Sequence, residues 1–204
     1  MFRESVVALD AHVIGLQEVD KGMARSGRVN MSGEAGNALN CEDFFARARR
    51  RWDWGLYGNA LLAKGRIRQM EVVRYPRKKF FYERRIGQLA TVVVGNETWN
   101  VGNTHLSLRS DEHVLQLQEL ATALSRRSGP RVLMGDFNMA PEAVKEAIEP
   151  MGWTVLESGF TFPSWAPDHT VDFICVQEAE VENVEVRSMA ISDHAALIAT
   201  LRPT

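Results

Sequence analysis

Val132-Leu133-Met134-Gly135-Asp136-Phe137-Asn138 is an apolar run that ends on a carboxylate and an amide. Ser192-Asp193-His194-Ala195-Ala196-Leu197-Ile198 reverses that order, with a carboxylate and an imidazole ahead of the apolar run. Short apolar runs bounded by turn residues read as buried strands. Both stretches therefore set polar side chains at a strand end, where a rigid sheet can hold reacting groups in place. Gln17-Glu18, after Val13-Ile14-Gly15-Leu16, repeats the arrangement. Each stretch alone has an ordinary explanation. Asp-Phe-Asn suits a turn before a helix that starts near Pro141, and Asp193-His194 suits a surface pair. His105 and Asp172 also lie at the end of, or inside, apolar runs. Together these residues read as a hard-cation site with a general base beside it.

Outward from these motifs, the chain alternates strand and helix signals. Residues 2–9 read as the end of a helix, 13–16 as a buried strand, and 21–40, rich in Gly, Ser, Asn and Arg, as a loop. Residues 42–51 read as a helix that is basic on one side. Strands are predicted at 55–63, 67–73, 86–94 and 98–106, with a hairpin turn at Gly95-Asn96. Residues 111–127 carry Val114, Leu117, Leu120, Ala121 and Leu124 on one helical face, with Ser110 as N-cap and Gly129-Pro130 as the stop. A strand at 131–134, a helix at 141–149 and strands at 171–176, 181–186 and 196–201 follow. This order predicts an α/β sandwich, two stacked sheets flanked by helices.

The chain has 204 residues, enough for one domain with a substantial core, and a net charge of −2. That balance argues against a broadly basic surface for non-specific nucleic-acid binding, although a local basic rim remains compatible with it. Cys41 and Cys175 lack metal-ligand spacing and suit a reducing compartment, where both would be structural. No apolar run reaches membrane-span length and no signal sequence opens the chain, so the expected location is the cytoplasm.

LQEVD at 16–20, YGNALL at 57–62, NTHLSL at 103–108, GDFN at 135–138, VDFI at 171–174 and SDH at 192–194 occur in one order along the chain. In that combination the sequence resembles the endonuclease/exonuclease/phosphatase superfamily, the deoxyribonuclease-like metal-dependent phosphoesterases. The stretch from Arg25-Ser26-Gly27 through TFPSW at 161–165 resembles small bacterial members described only as metal-dependent hydrolases. The resemblance implies the four-layer fold, with two mixed β-sheets flanked by helices. It also implies hydrolysis of phosphate esters with Mg²⁺ or Mn²⁺. Family members usually begin with a strand that carries an asparagine near its end. Here Met1 falls inside what should be the following helix. The expectation is a domain lacking that strand, with its neighbours' edges exposed unless a further segment or a second copy covers them.

Phosphate-ester hydrolysis needs an aimed and deprotonated water, spread phosphoryl charge and a stabilised leaving oxygen. Glu18 is the best metal ligand, because a carboxylate closing a buried strand needs a cation, and the family match agrees. Asp193 is a second carboxylate, beside the base His194. Asp172, flanked by Val171, Phe173 and Ile174, needs a partner, and by both chemistry and resemblance it would orient His194. Asp136 could position the water or a metal. Asn138 and His105 could donate to phosphoryl oxygens. Asn59 is either a substrate contact or an ordinary turn asparagine. The resemblance implies a phosphate-facing Arg85. His12, His113 and His169 read as incidental. Residues 74–85 interleave cations and aromatics, either as a track for a phosphate backbone and its bases or as a solvated loop. The partner is thus a phosphodiester, whether small molecule, lipid head group or nucleic acid. The alternative reading is an impaired phosphate-ligand binding module or scaffold of the same fold.

Overall fold

The computed structural model describes residues 2–50, 52 and 54–204. In chain order these form α1 (Phe2–Val7), β1 (Val13–Lys21), α2 (Met31–Leu39), β2 (Glu42–Arg50), β3 (Leu56–Ala63), β4 (Arg66–Arg74), β5 (Ile86–Val94) and β6 (Glu97–His105). They continue as α3 (Ser110–Ser125), β7 (Arg131–Asp136), α4 (Pro141–Ile148), β8 (Thr154–Val155), β9 (Asp172–Gln177), β10 (Ala179–Arg187) and β11 (Ala196–Pro203).

Four layers follow from which faces are apolar. The central layer is a mixed six-stranded sheet in the order β4-β5-β6-β7-β9-β8, with β6 and β7 parallel. One face packs on α3 and α4, where Leu117, Leu120 and Leu124 meet Leu89, Leu133 and Phe173. Those three leucines recur at helical spacing, so burying one stripe orders the whole helix. The other face, through Ala90, Val101, Val132 and Ile174, packs on Leu61 of the sheet β1-β3-β2 and on Leu197 and Leu201 of the hairpin β10-β11. α1 and α2 cover the far side of β1-β3-β2 through Val6, Ala35, Ile14 and Leu62. Among the described residues, β1 pairs with β3 and β11 with β10, and the other edge of each has no strand partner. No helix of the described residues is long and apolar enough to cross a membrane.

Several local expectations change. Residues 42–50 form a strand, not a helix: β2 pairs along its length with β3, from Glu42 opposite Ala63 to Arg50 opposite Leu56. The short apolar patch Phe44-Phe45-Ala46 fits either period, and pairing with a buried neighbour decides it. Arg51 lies outside the described residues, as does Met1. Residues 21–40 are not a plain loop. They hold a 3₁₀ turn at Ala24–Ser26 and the helix α2, whose small residues Ser32, Ala35 and Gly36 are buried. Ser110 is the first residue of α3 instead of its cap, and Arg109 occupies the cap position without a side-chain bond. The short strand β8 carries no period long enough to read.

Register places the polar strand ends together. Thr104 lies opposite Gly87, His105 opposite Asp136, and Asp136 opposite Asp172. The C-terminal ends of β6 and β7 and the starts of β5 and β9 therefore share one end of the sheet. The last residue of β1, Lys21, pairs with the first of β3, which brings the β2–β3 turn to the same end.

Candidate functional site

Glu18 does not end its strand as expected. β1 runs on to Lys21, and its register with β3 shifts between Leu16 and Val19. This bulge turns Glu18 out at φ 57°, a left-handed conformation uncommon for glutamate. The bulge has a cause inside the molecule. Gln17 Nε2 donates to Asn103 Oδ1 at 2.8 Å, and Asn103 Nδ2 lies within bonding distance of Ala60 O (3.0 Å) and Gln88 Oε1 (2.9 Å). Gln88 in turn donates to Phe44 O at 2.6 Å. Asn103 and Gln88 are buried between the sheets, where each polar group needs a partner, so the network holds Gln17 and leaves Glu18 projecting. Glu18 is 60 % exposed and its carboxylate stands 3.9 Å from His105 Nδ1. Tyr57 hydrogen-bonds Glu18, and burial first, then that carboxylate, pushes the phenol's pKa up, so Tyr57 remains a donor.

Gly135 lets β7 deliver Asp136. Its φ is 140°, and a Cβ there would sit 1.9 Å from Thr104 O, so no other residue fits beside β6. Asp136 accepts from Asn138 N at 3.0 Å, with Asn138 at φ 51° in a tight Asx-type turn. Asp136 Oδ2 lies 3.3 Å from His105 Nε2. Burial, then the charge of Asp172, raises the Asp136 pKa from 3.8 to about 7. Burial, with Arg85 and His194 nearby, lowers His105 to about 3, so its contacts with Glu18 and Asp136 are those of a neutral imidazole and not ion pairs.

His194 Nδ1 lies 2.8 Å from Asp172 Oδ2. Burial would lower the His194 pKa, but the bond to Asp172 and that carboxylate's charge outweigh it, and the value rises to about 9. The segment 161–165 clamps this region. Ala195 N donates to Thr161 O at 2.7 Å, Ser164 N to Asp193 O at 2.7 Å, and Ser164 Oγ to Ser192 O at 2.6 Å. The Phe162 ring sits 4.8 Å from the imidazole. Asp193 is exposed, and its charge is among those that raise His194.

The structure thus brings together His105, Asp136, Asp172 and His194 at one sheet end, with Glu18 reaching His105 and Asn138 bound to Asp136. Asn138 Nδ2 also donates to Leu106 O at 3.1 Å, which leaves one amide hydrogen uncommitted. Arg85 is 7 % exposed and pairs with Glu83 at 3.1 Å. Asn59 is not in a turn: it lies buried on β3 and donates to Ile86 O at 3.3 Å, next to Arg85. His169 lines a cleft of about 490 Å³ beside Asn138, with Phe160 and Val171. His12 stands apart. His113 faces the Ser107 and Asn138 backbone. Sequence reading missed Tyr57, Phe162 and the Gln17–Asn103–Gln88 network. Tyr57 and Phe162 sat inside quoted motifs, but nothing local marks their contacts.

Five buried side-chain nitrogens lack a partner among the described residues, and Arg49 Nε, Arg85 Nε and His105 Nδ1 are three of them. Orphaned buried polar groups are rare in folded proteins, and those of Arg85 and His105 lie at the sheet end that carries His194.

The sequence profile of the Endonuclease/Exonuclease/phosphatase family matches residues 2–194. The chain belongs to this family. The fold agrees. A family protein from Leptotrichia buccalis is 16 % identical, with a TM-score of 0.76 over 98 % of this chain and 90 % of that one. ANGEL2, described as a 2′,3′-cyclic phosphatase, is 15 % identical, with a TM-score of 0.77 over 98 % and 83 %. The human Nocturnin catalytic domain, solved with a bound sulfate anion, is 18 % identical, with a TM-score of 0.69 over 100 % and 87 %. No curated protein matches the sequence. At these identities the structures share the fold. Family members are phosphoesterases and nucleases that generally need a divalent metal.

The side chains present fit such an ion. No three His, Cys, Asp or Glu residues among those described close a cage. Mg²⁺ does not require one, because it keeps several waters and takes one or two carboxylates. Glu18 is aimed outward by the bulge and steadied by Tyr57. The crowding that lifts Asp136 is the kind a nearby cation relieves.

Proposed function

We propose that this chain is a Mg²⁺- or Mn²⁺-dependent phosphodiesterase that uses a water activated by His194. The observation that carries the reading is the His194–Asp172 pair at 2.8 Å beside the unpartnered Arg85 Nε and His105 Nδ1. A base held in one tautomer stands next to donors with no acceptor, which is what attack on an anionic phosphoryl group requires.

In the neutral ring, which prevails in the metal-free protein above a pKa of about 9, Asp172 accepts from Nδ1–H and leaves Nε2 as the acceptor for the proton of water. The attacking oxygen bonds to phosphorus as the opposite ester bond breaks; the water's proton ends on Nε2, and the leaving oxygen departs with the bonding pair and takes a proton from solvent. Asp136 aims the water. Asn138, Arg85 and His105 meet the phosphoryl oxygens. Glu18 and Asp193 would hold the metal, which supplies charge neutralisation at the phosphoryl group. ANGEL2, whose described substrate is a cyclic phosphate diester, lends support to a diester here.

The test is hydrolysis of bis(p-nitrophenyl) phosphate by the purified chain, with Mn²⁺ and with EDTA. Turnover that requires the metal and disappears in His194→Ala is expected. Metal-independent turnover, or none with any diester, would sink the proposal.

A further inference from the structure

Of the eleven large hydrophobic side chains exposed among the described residues, seven lie on connections at the same sheet end as His194. Trp52 and Trp54 stand on the β2–β3 turn, Phe80 and Phe81 on the β4–β5 connection, and Leu108 just after β6. Phe160 and Trp165 lie on the opposite side, in the connection that enters β9. Phe80 is 84 % exposed and Phe81 65 %, although a folded chain ordinarily scatters such residues.

The β4–β5 connection pairs these rings with charge. Residues 74–85 carry six cations and one carboxylate, in a chain whose net charge is −2. Lys79 lies over both Phe81 and Tyr82, and Arg109 over Tyr82, with nitrogen or guanidinium 5.0–5.8 Å from the ring centres. The connection is anchored at its site end. Glu83 takes Arg85 on one side and Arg49 on the other, at 3.1 and 2.9 Å, and the backbone of Lys78 donates to Glu112 at 2.8 Å. Outward from Arg85 the connection therefore carries a group of three rings, Tyr82, Phe81 and Phe80, and then three cations, Lys79, Lys78 and Arg77, with Lys79 folded back over two of the rings.

From this arrangement we infer that residues 77–82, with Arg109, bind the nucleotides that flank the scissile phosphate of a single-stranded nucleic acid. The inference rests on the phosphodiesterase reading and specifies its substrate. Single strands suit the features together, because the cations can follow the phosphates while the exposed rings stack on unpaired bases. A duplex hides its base faces and offers the rings nothing. A membrane tip would hold its apolar residues beyond the charges, whereas here the cations of Lys79 and Arg109 lie over the Phe81 and Tyr82 rings. The cleft lined by Phe160 and His169, on the other side of Asn138, gives the strand a second apolar surface as it leaves the site.

The experiment combines binding and turnover on the full chain. Fluorescence anisotropy of a labelled oligothymidylate, in EDTA, reads binding without cleavage. Phe80→Ala/Phe81→Ala should weaken it on the order of tenfold, and Lys78→Gln/Lys79→Gln should lower its salt slope by about 1.4. With Mn²⁺, the aromatic double variant should raise KM for the oligonucleotide and leave turnover of bis(p-nitrophenyl) phosphate unchanged. Equal binding by wild type and both variants would overturn the inference while leaving the diesterase reading intact. So would duplex bound as well as single strand, or co-sedimentation with phosphatidylserine vesicles that is lost in the aromatic variant. Absence of any diester turnover would sink the diesterase reading, and the anisotropy would still decide the strand site.

Discussion

His194 Nδ1 and Asp172 Oδ2 meet at 2.8 Å, although the residues are 22 apart in sequence and only Asp172 lies in a strand. Asp172 opens β9 in the six-stranded sheet, and His194 precedes β11 in the hairpin that packs on it. The contact exists because the two layers are stacked in one register, with the 161–165 segment closing over both. In the metal-free protein, NMR titration should find the His194 imidazole deprotonating near pH 9. Asp172→Asn should bring that value down toward the ordinary 6.5. A midpoint unchanged by the substitution would show that Asp172 does not control the ring.

His194→Ala should lower turnover by about 10²–10⁴-fold, the usual worth of a positioned base. Asp172→Asn should fall short of that loss, because the base remains while its orientation loosens. Steady-state kinetics on an aryl phosphodiester would separate the two. Near-normal turnover in His194→Ala would move the role of base to Asp136.

Metal affinity should follow Glu18 and its support. Glu18→Gln should abolish Mn²⁺ binding measured by calorimetry. Tyr57→Phe, which removes the donor on Glu18, should weaken it by about tenfold, as the loss of an outer hydrogen bond commonly does. Thermal midpoints near wild type in both would show that the fold is intact. Full affinity in Glu18→Gln would place the ion on other groups.

Stability of the metal-free protein should fall as pH rises from 6.5 to 9. His194 and Asp136 both have raised pKa values, about 9 and about 7, so the folded state holds protons that the unfolded chain has released. Their contribution is complete below the unfolded values and is lost as pH passes the folded ones. His105, lowered to about 3, acts oppositely, and only below 6.5, where the unfolded imidazole gains its proton. Differential scanning fluorimetry in EDTA should show a descending midpoint across that window. Added Mn²⁺ should raise the midpoint more at pH 8 than at pH 6. A flat or rising midpoint in EDTA would contradict the raised values.

Gly135→Ala should destabilise the protein by on the order of 3 kcal/mol or more, since the new methyl group would meet Thr104 O at 1.9 Å with a φ few side chains adopt. Chemical denaturation would measure it. Gly95→Ala, with φ 58° but open space around it, should cost much less, on the order of 1 kcal/mol. Equal costs would mean that the sheet can yield at β7.

By itself the sequence determined the elements whose signal is local, and with them most of the candidate site. The leucine stripe of α3 is a period within one helix, and the carboxylate and imidazole ends of β6, β7, β9 and β11 are boundaries between apolar and polar runs. Such patterns report which residues must leave water, so His105, Asp136, Asp172 and His194 could be chosen before any contact was known. Tertiary structure decided what depends on pairing. Residues 42–50 became a strand because β3 offered an edge, and small residues let α2 pack beneath α1. Glu18 left the expected strand end for a bulge because Gln17 was drawn to Asn103, 86 residues away. Tyr57 reached Glu18, and Phe162 reached His194, through the stacking of separate layers. Burial period is written into neighbouring residues. The partner of a buried amide or a projecting carboxylate is set by where distant strands come to lie.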